Sequence, residues 1–212
     1  MKRKRLCNIL LLLLLASSCW AQTDTAVAKQ PIYMGTQVKL DIASPIVIPA
    51  MNKWQMQHYE MAVNVRLANR FYPTFEAGYV GGKTNQGDSI AYQGQGGFFR
   101  VGCDINPLKK HPESPHALLV GLRLGAAAQD WNQQYTNGND PEHKVSGDCW
   151  GEIVAGCQVE IAKVNKTAFY MGWMGRFKCL FTRKQESPIY IPGYGKRDNI
   201  SWGLNYYLGW RF

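Results

Sequence analysis

Eight segments of this chain alternate apolar and polar residues with period two, and in none of them does the apolar face carry a charge. The last is the clearest. Ile200, Trp202, Leu204, Tyr206, Leu208, Trp210 and Phe212 share one face; Ser201, Gly203, Asn205, Tyr207, Gly209 and Arg211 share the other. The other apolar faces are built around Val38 and Leu40, Met61 and Val63, Phe75 and Ala77, Phe99 and Val101, Leu122 and Leu124, Ile153 and Val159, and Met171 and Trp173. Period two marks a strand with two unlike faces, and no window shows a helical stripe. Eight antiparallel strands with no spare edge suit a closed barrel. The expectation is an all-β, eight-stranded, antiparallel up-and-down transmembrane β-barrel over residues 31–212. The connections alternate: 69–72 and 163–166 are short, 106–115 is a middling Pro-containing turn, and 43–56, 83–95, 128–148 and 182–199 are long and polar. Short turns at one end and long loops at the other are the habit of outer-membrane barrels.

Composition excludes other classes. The chain has 212 residues, 12% aromatic and 18% charged, whereas disordered chains are poor in aromatics and rich in charge. A helical membrane protein with several spans is excluded, because a single apolar run stands out. That run, Leu10 to Ala16, follows Lys2-Arg3-Lys4-Arg5 and precedes Ala21. It is shorter than the ~20 residues of a spanning helix and reads as a secretory signal peptide over residues 1–21. Residues 22–30 form a short linker. Ala16-Ser17-Ser18-Cys19 offers a lipobox-like alternative that lacks the usual Leu three before the Cys. Removing the leader lowers Lys and Arg from 24 to 20 against 15 acids, so the net charge falls from +9 to +5. The one basic cluster, Lys109-Lys110-His111, is a Pro-bounded turn, and no nucleic-acid partner is expected. The four remaining cysteines form no CxxC pair, and no histidine stands at ligand spacing, so no metal and no cofactor are expected.

The polar faces carry Lys39, Arg66, Arg100, Arg123, Arg176, Lys178 and Arg211 against Asp41, Glu60, Glu76, Asp104, Glu152 and Glu160. Turned outward, they would enclose an apolar cavity, as in a soluble exported barrel for a lipophile. Turned inward, they would pair and fill a narrow lumen, which eight strands permit. Glycines on that face make room for the long side chains. Tyr33, Trp54, Tyr59, Tyr72, Trp131, Trp150, Trp202 and Trp210 lie near strand ends, where an aromatic girdle would sit.

The leader, the alternating strands and the terminal Trp210-Arg211-Phe212 resemble small Gram-negative outer-membrane β-barrels, and in particular an uncharacterised family of them with no assigned role. The resemblance covers residues 31–212 and is architectural. It implies a monomer embedded in outer-membrane lipid, with Phe212 as the residue read by the barrel-assembly machinery.

Candidate chemistry is sparse. Lipid A deacylases of this architecture carry a His-x-Ser pair on their last strands; here Asn199-Ile200-Ser201 lacks the His. That omission argues against a Ser–His hydrolase. His58 beside Glu60 is the histidine placed to point inward. Asp140 and Glu142, near Asn137-Gly138-Asn139, would make at most a weak divalent-cation loop and read better as turn chemistry. The expected function is therefore non-enzymatic: a filled barrel acting through its long loops in binding or envelope maintenance, its external ligand unidentified. The alternatives are a narrow channel, a lipid-modifying enzyme and the soluble lipophile carrier. If the turn near Val164 centres a hairpin, Glu152 opposes Arg176, and Cys149 opposes Cys179 closely enough for a disulfide.

Overall fold

The computed structural model describes residues 32–46, 54–68, 70–86, 90–108, 114, 116–135, 142–182 and 188–212. The expected signal peptide and linker, residues 1–30, lie outside the described residues. Ten strands are described: β1 (Tyr33–Asp41), β2 (Trp54–Leu67), β3 (Phe71–Gln86), β4 (Ile90–Ile105), β5 (Ala117–Tyr135), β6 (Glu142–Val164), β7 (Thr167–Leu180), β8 (Tyr190–Ile191), β9 (Gly195–Lys196) and β10 (Ile200–Arg211). Strands β1 to β7 and β10 close into one antiparallel barrel, each beside its neighbour in sequence, with β1 sealed against β10. Strands β8 and β9 form a separate two-stranded hairpin.

The register is fixed by the period of the side chains, because a slip of one residue would turn every apolar group inward. Cross-strand neighbours run from Gln37 through Asn64, Thr74, Gly102, Arg123, Glu152 and Lys178 to Ser201. Continued onto β1, this row returns about ten residues further along, the kind of stagger that tilts the strands of a closed barrel. Glycines permit the close approach of neighbouring walls. A Cβ at Gly102 would lie 2.8 Å from Arg123 Cδ, and one at Gly125 would enter the Trp150 ring.

The charged face is the inner one. Arg100, Arg176 and Glu76 are 1%, 2% and 2% exposed, whereas Leu122, Leu124 and Trp202 on the other face are 57%, 61% and 78% exposed. The described lumen is therefore not the wholly apolar cavity that a soluble lipophile carrier requires.

Two expectations need correction. The strands outrun their apolar stretches: β3 reaches Gln86 and β4 starts at Ile90, while β5 reaches Tyr135 and β6 starts at Glu142. Most of the expected loops 83–95 and 128–148 is thus strand. Near Gln93, Gln95 and Asn132 the outer face turns polar, so the hydrophobic alternation fades although backbone pairing continues. The second correction concerns the girdle. Tyr72, Trp131 and Trp150 are buried inside, in phase with Thr74, Gln129 and Glu152. Nearness to a strand end suggests the girdle, but the alternation of their own strands turns them inward. Tyr33, Tyr59 and Trp202 do lie exposed on the outer face, and Trp202 meets Phe177 edge-on at 5.1 Å; the Trp54 side chain lies outside the described ones.

Candidate functional site

The middle of the lumen is a lattice of ion pairs built from six strands, β2 to β7. Each charged side chain is the inward member of its alternation, so the barrel wall delivers them all to one axis. Arg100 on β4 lies 2.9 Å from Glu60, 2.9 Å from Glu76 and 2.9 Å from Glu152. Arg176 on β7 reaches Glu60 at 3.2 Å, Glu76 at 2.9 Å and Glu152 at 2.9 Å. Its Nε donates to Asn205 Oδ1 at 2.6 Å, and it also bonds the Tyr207 hydroxyl. Arg123 on β5 lies 3.2 Å from Glu76 and 2.7 Å from Asp104. Three carboxylates are thus shared by two arginines, a use suited to planar guanidinium forks. Asp41 accepts from Ser44 Oγ at 2.5 Å and from Asn205 Nδ2 at 2.6 Å. Trp150 Nε1 donates to Glu152 at 2.6 Å. Buried charges are costly unless paired, and each arginine of this set lies within 3.2 Å of at least two carboxylates, with only Arg100 Nε and Asp104 Oδ1 lacking a well-directed hydrogen bond among its described atoms.

The remaining expected interior residues lie apart from the lattice. Glu160 and Arg211 pair at 3.0 Å toward the short-turn end, where Arg66 donates to the Ser114 carbonyl at 3.3 Å. Lys39 is buried with its ammonium 6.0 Å and 5.9 Å from the ring centres of Tyr170 and Tyr207. His58 is inward, with Nε2 3.5 Å from Glu60 and its ring edge-on to Phe98 at 5.5 Å. Phe212 is exposed at the seam, where its backbone N–H donates to Thr36 at 3.0 Å. Of the possible cation loop, Asp140 lies outside the described residues and Glu142 opens β6. Among the described residues no cluster of metal-ligating side chains forms.

Above the lattice, on the long-loop side, the lumen is stoppered. The 182–199 connection, expected as an external loop, sends the β8–β9 hairpin inward. Lys178 Nζ donates to the Gly193 carbonyl at 2.7 Å and to that of Tyr194 at 3.1 Å, and Arg100 donates to Gly193 at 2.8 Å. Gln129 Nε2 holds the Tyr190 carbonyl at 2.9 Å. Ile191 and Tyr194 are fully buried against Val80, Tyr92, Phe98, Trp131 and Trp150. Burial pushes the Tyr190 and Tyr194 phenols up to about 12, so both rings enter uncharged. A turn carrying Ile189-Tyr190-Ile191-Pro192-Gly193-Tyr194 is too apolar for a solvated loop, and that was the signal available in the sequence.

The expected β6–β7 pairings are corrected as well. Glu152 opposes Lys178, and Arg176 opposes Val154. Glu152 and Arg176 still meet, along the diagonal of the ladder. Cys179 opposes Gly151, while the Phe181 N–H donates to the Cys149 carbonyl at 3.0 Å. The turn is Asn165-Lys166 between the paired Val164 and Thr167, which displaces the register by three positions, and an irregularity between Glu160 and Ala162 takes one of them back. The expected disulfide therefore does not form; Cys103, Cys149, Cys157 and Cys179 are all free. Alkylation of the denatured, unreduced chain lacking residues 1–21 is expected to label four thiols. A count of two would refute this register.

No curated protein matches the sequence. A family model described as a domain of unknown function (DUF6048) matches residues 3–211. With nearly its whole length matched, this barrel chain belongs to the DUF6048 family.

Proposed function

We propose that this chain is an exported, monomeric outer-membrane barrel with a filled lumen, and that it acts without catalysis, through its long-loop end, in binding or envelope maintenance. The observation that carries the reading is the outward apolar face, exposed on every wall strand while the charges pair inside. Soluble monomers rarely expose continuous apolar surface of this extent, whereas a transmembrane barrel requires an apolar outer band. The termini of the barrel, Tyr33 and Arg211, lie at the short-turn end, which in bacterial barrels faces the periplasm. Phe212 would then be presented to the assembly machinery from that side.

A closed lumen favours a binding or structural role over conduction. Arg100, Arg176 and Arg123 span the cross-section, and the β8–β9 hairpin lies above them. Ser201 Oγ donates to the Tyr194 carbonyl at 3.3 Å, a structural bond with no histidine in it. The chain is expected to fractionate with outer membranes, to migrate differently on a denaturing gel with and without boiling, and to leave planar bilayers without conductance steps. Recovery in the soluble periplasmic fraction would overturn the membrane reading; discrete single-channel steps would replace the filled barrel with a narrow channel.

A further inference from the structure

Toward the long loops, the outer face changes its chemistry. Below the change it carries Phe99, Leu124 and Ile153; above it come Gln95, Gln93, Asp130, Asn132 and His143, in the same outward phase. The ladder sets these into two cross-strand rows. One runs Gln57, Gly81, Gln95, Asp130. The other runs Lys83, Gln93, Asn132, His143. Neighbours within a row lie about 5 Å apart, and successive outward positions along a strand about 7 Å apart. Together they line a cleft of about 520 Å³ on the outer wall. That volume falls within the range of small-molecule sites. The cleft is floored by paired strands, which hold side chains more rigidly than loops do.

Its chemistry points to one class of ligand. Each carboxamide offers a donor and an acceptor on one rigid group, which matches the adjacent hydroxyls of a sugar. Asp130 is already engaged by His143 Nε2 at 2.8 Å, and Lys83 is the one lysine or arginine among the described lining residues. A phosphate site would gather several cations, and an apolar ligand would meet amides it cannot satisfy. Tyr79 supplies the other element. Its hydroxyl donates to Gln95 Oε1 at 3.1 Å, and its ring lies beside Gly81, where a Cβ would come within 3.1 Å of it. The missing side chain lets the ring lie along the wall, half-exposed, as a platform whose electron-rich face attracts C–H groups.

We propose that this cleft binds a neutral saccharide, with Tyr79 stacking on a sugar ring and Gln57, Gln95 and Asn132 hydrogen-bonding its hydroxyls. The chemistry is shared by a free oligosaccharide and by the sugar headgroup of a membrane glycolipid. The proposal rests on the outer-membrane reading only for the depth of the cleft, just beyond the apolar band.

The test uses the full chain without its leader, folded in micelles of a detergent that carries no sugar. Saturation-transfer NMR is recorded with a neutral hexose trisaccharide and an N-acetylhexosamine trisaccharide. A parallel arm measures sedimentation with phospholipid vesicles that contain or lack a neutral glycolipid. Saturable binding of either trisaccharide is expected, weakened about tenfold by Tyr79→Ala and by Gln95→Ala, each loss near 1.4 kcal/mol. Lys163→Gln, at the exposed short-turn end of β6, should leave it unchanged. Binding confined to glycolipid vesicles would identify the lipid-borne source. Three results would overturn the proposal: neither arm binds, inorganic phosphate displaces the sugar while Lys83→Gln abolishes binding, or both alanine variants bind undiminished. Because the micelle arm is independent of cellular location, a failed fractionation experiment and a failed sugar site are separable.

Discussion

Arg176→Met is expected to lower the unfolding free energy of the micelle-folded barrel by about 3–5 kcal/mol, the loss typical of breaking a buried pair from one side. The size follows from what the guanidinium touches. It serves Glu60, Glu76 and Glu152 at once, and it also holds Asn205 and Tyr207. Methionine fills part of the volume and none of those bonds, so three carboxylates would depend on Arg100 and Arg123. Arg176→Lys should recover only part of the loss, because an ammonium cannot direct bonds to three acids and an amide together. Glu152→Gln combined with Arg176→Met should cost less than the two single changes added, since each single variant leaves its partner buried and unpaired. Urea unfolding followed by tryptophan fluorescence measures all four. A loss below about 1 kcal/mol for Arg176→Met would place the pair among solvent-screened surface contacts and remove the lattice as a stabilising element.

The lattice was legible because its members share a strand phase. Once Leu122 and Leu124 point outward, Arg123 between them has to point inward, and the same logic fixes Glu60, Glu76 and Arg176. Which arginine meets which acid was not legible. The sequence around Val164 does not reveal a two-residue turn followed by an irregularity, and a shift of two positions moves Glu152 from Arg176 to Lys178. Arginine's length rescued the contact, whereas the short reach of a disulfide could not rescue the pairing of Cys149 with Cys179. The β8–β9 hairpin was hidden for another reason. Its strands are two residues each, below any periodic signal, and its burial depends on Arg100, Gln129 and Lys178, distant in sequence. The saccharide cleft was not legible either, because its amides lie where the fading alternation reads as loop.

Leu122→Arg separates a lipid-facing wall from a solvent-facing one. Leu122 lies on the outer surface between Cys103 and Ile153, and the same row continues to Phe177 and Trp202. If this band meets hydrocarbon, the arginine must be drawn toward water or desolvated. The expected cost is about 2–4 kcal/mol at mid-membrane depth, with a matching fall in the amount of heat-modifiable protein recovered from outer membranes. Val120→Arg, one outward position nearer the short turns, should behave alike. In water an exposed arginine at either site would change stability by no more than about 0.5 kcal/mol. The position of the change from apolar to amide chemistry gives the control. Asn132→Arg, on the same outward phase of β5 but beyond the band, should assemble as well as the unaltered chain, because the penalty falls toward zero at the interface. A penalty at 120 and 122 that vanishes at 132 is a depth profile, which general misfolding would not produce. Equal tolerance at all three positions would show that the apolar face does not meet lipid.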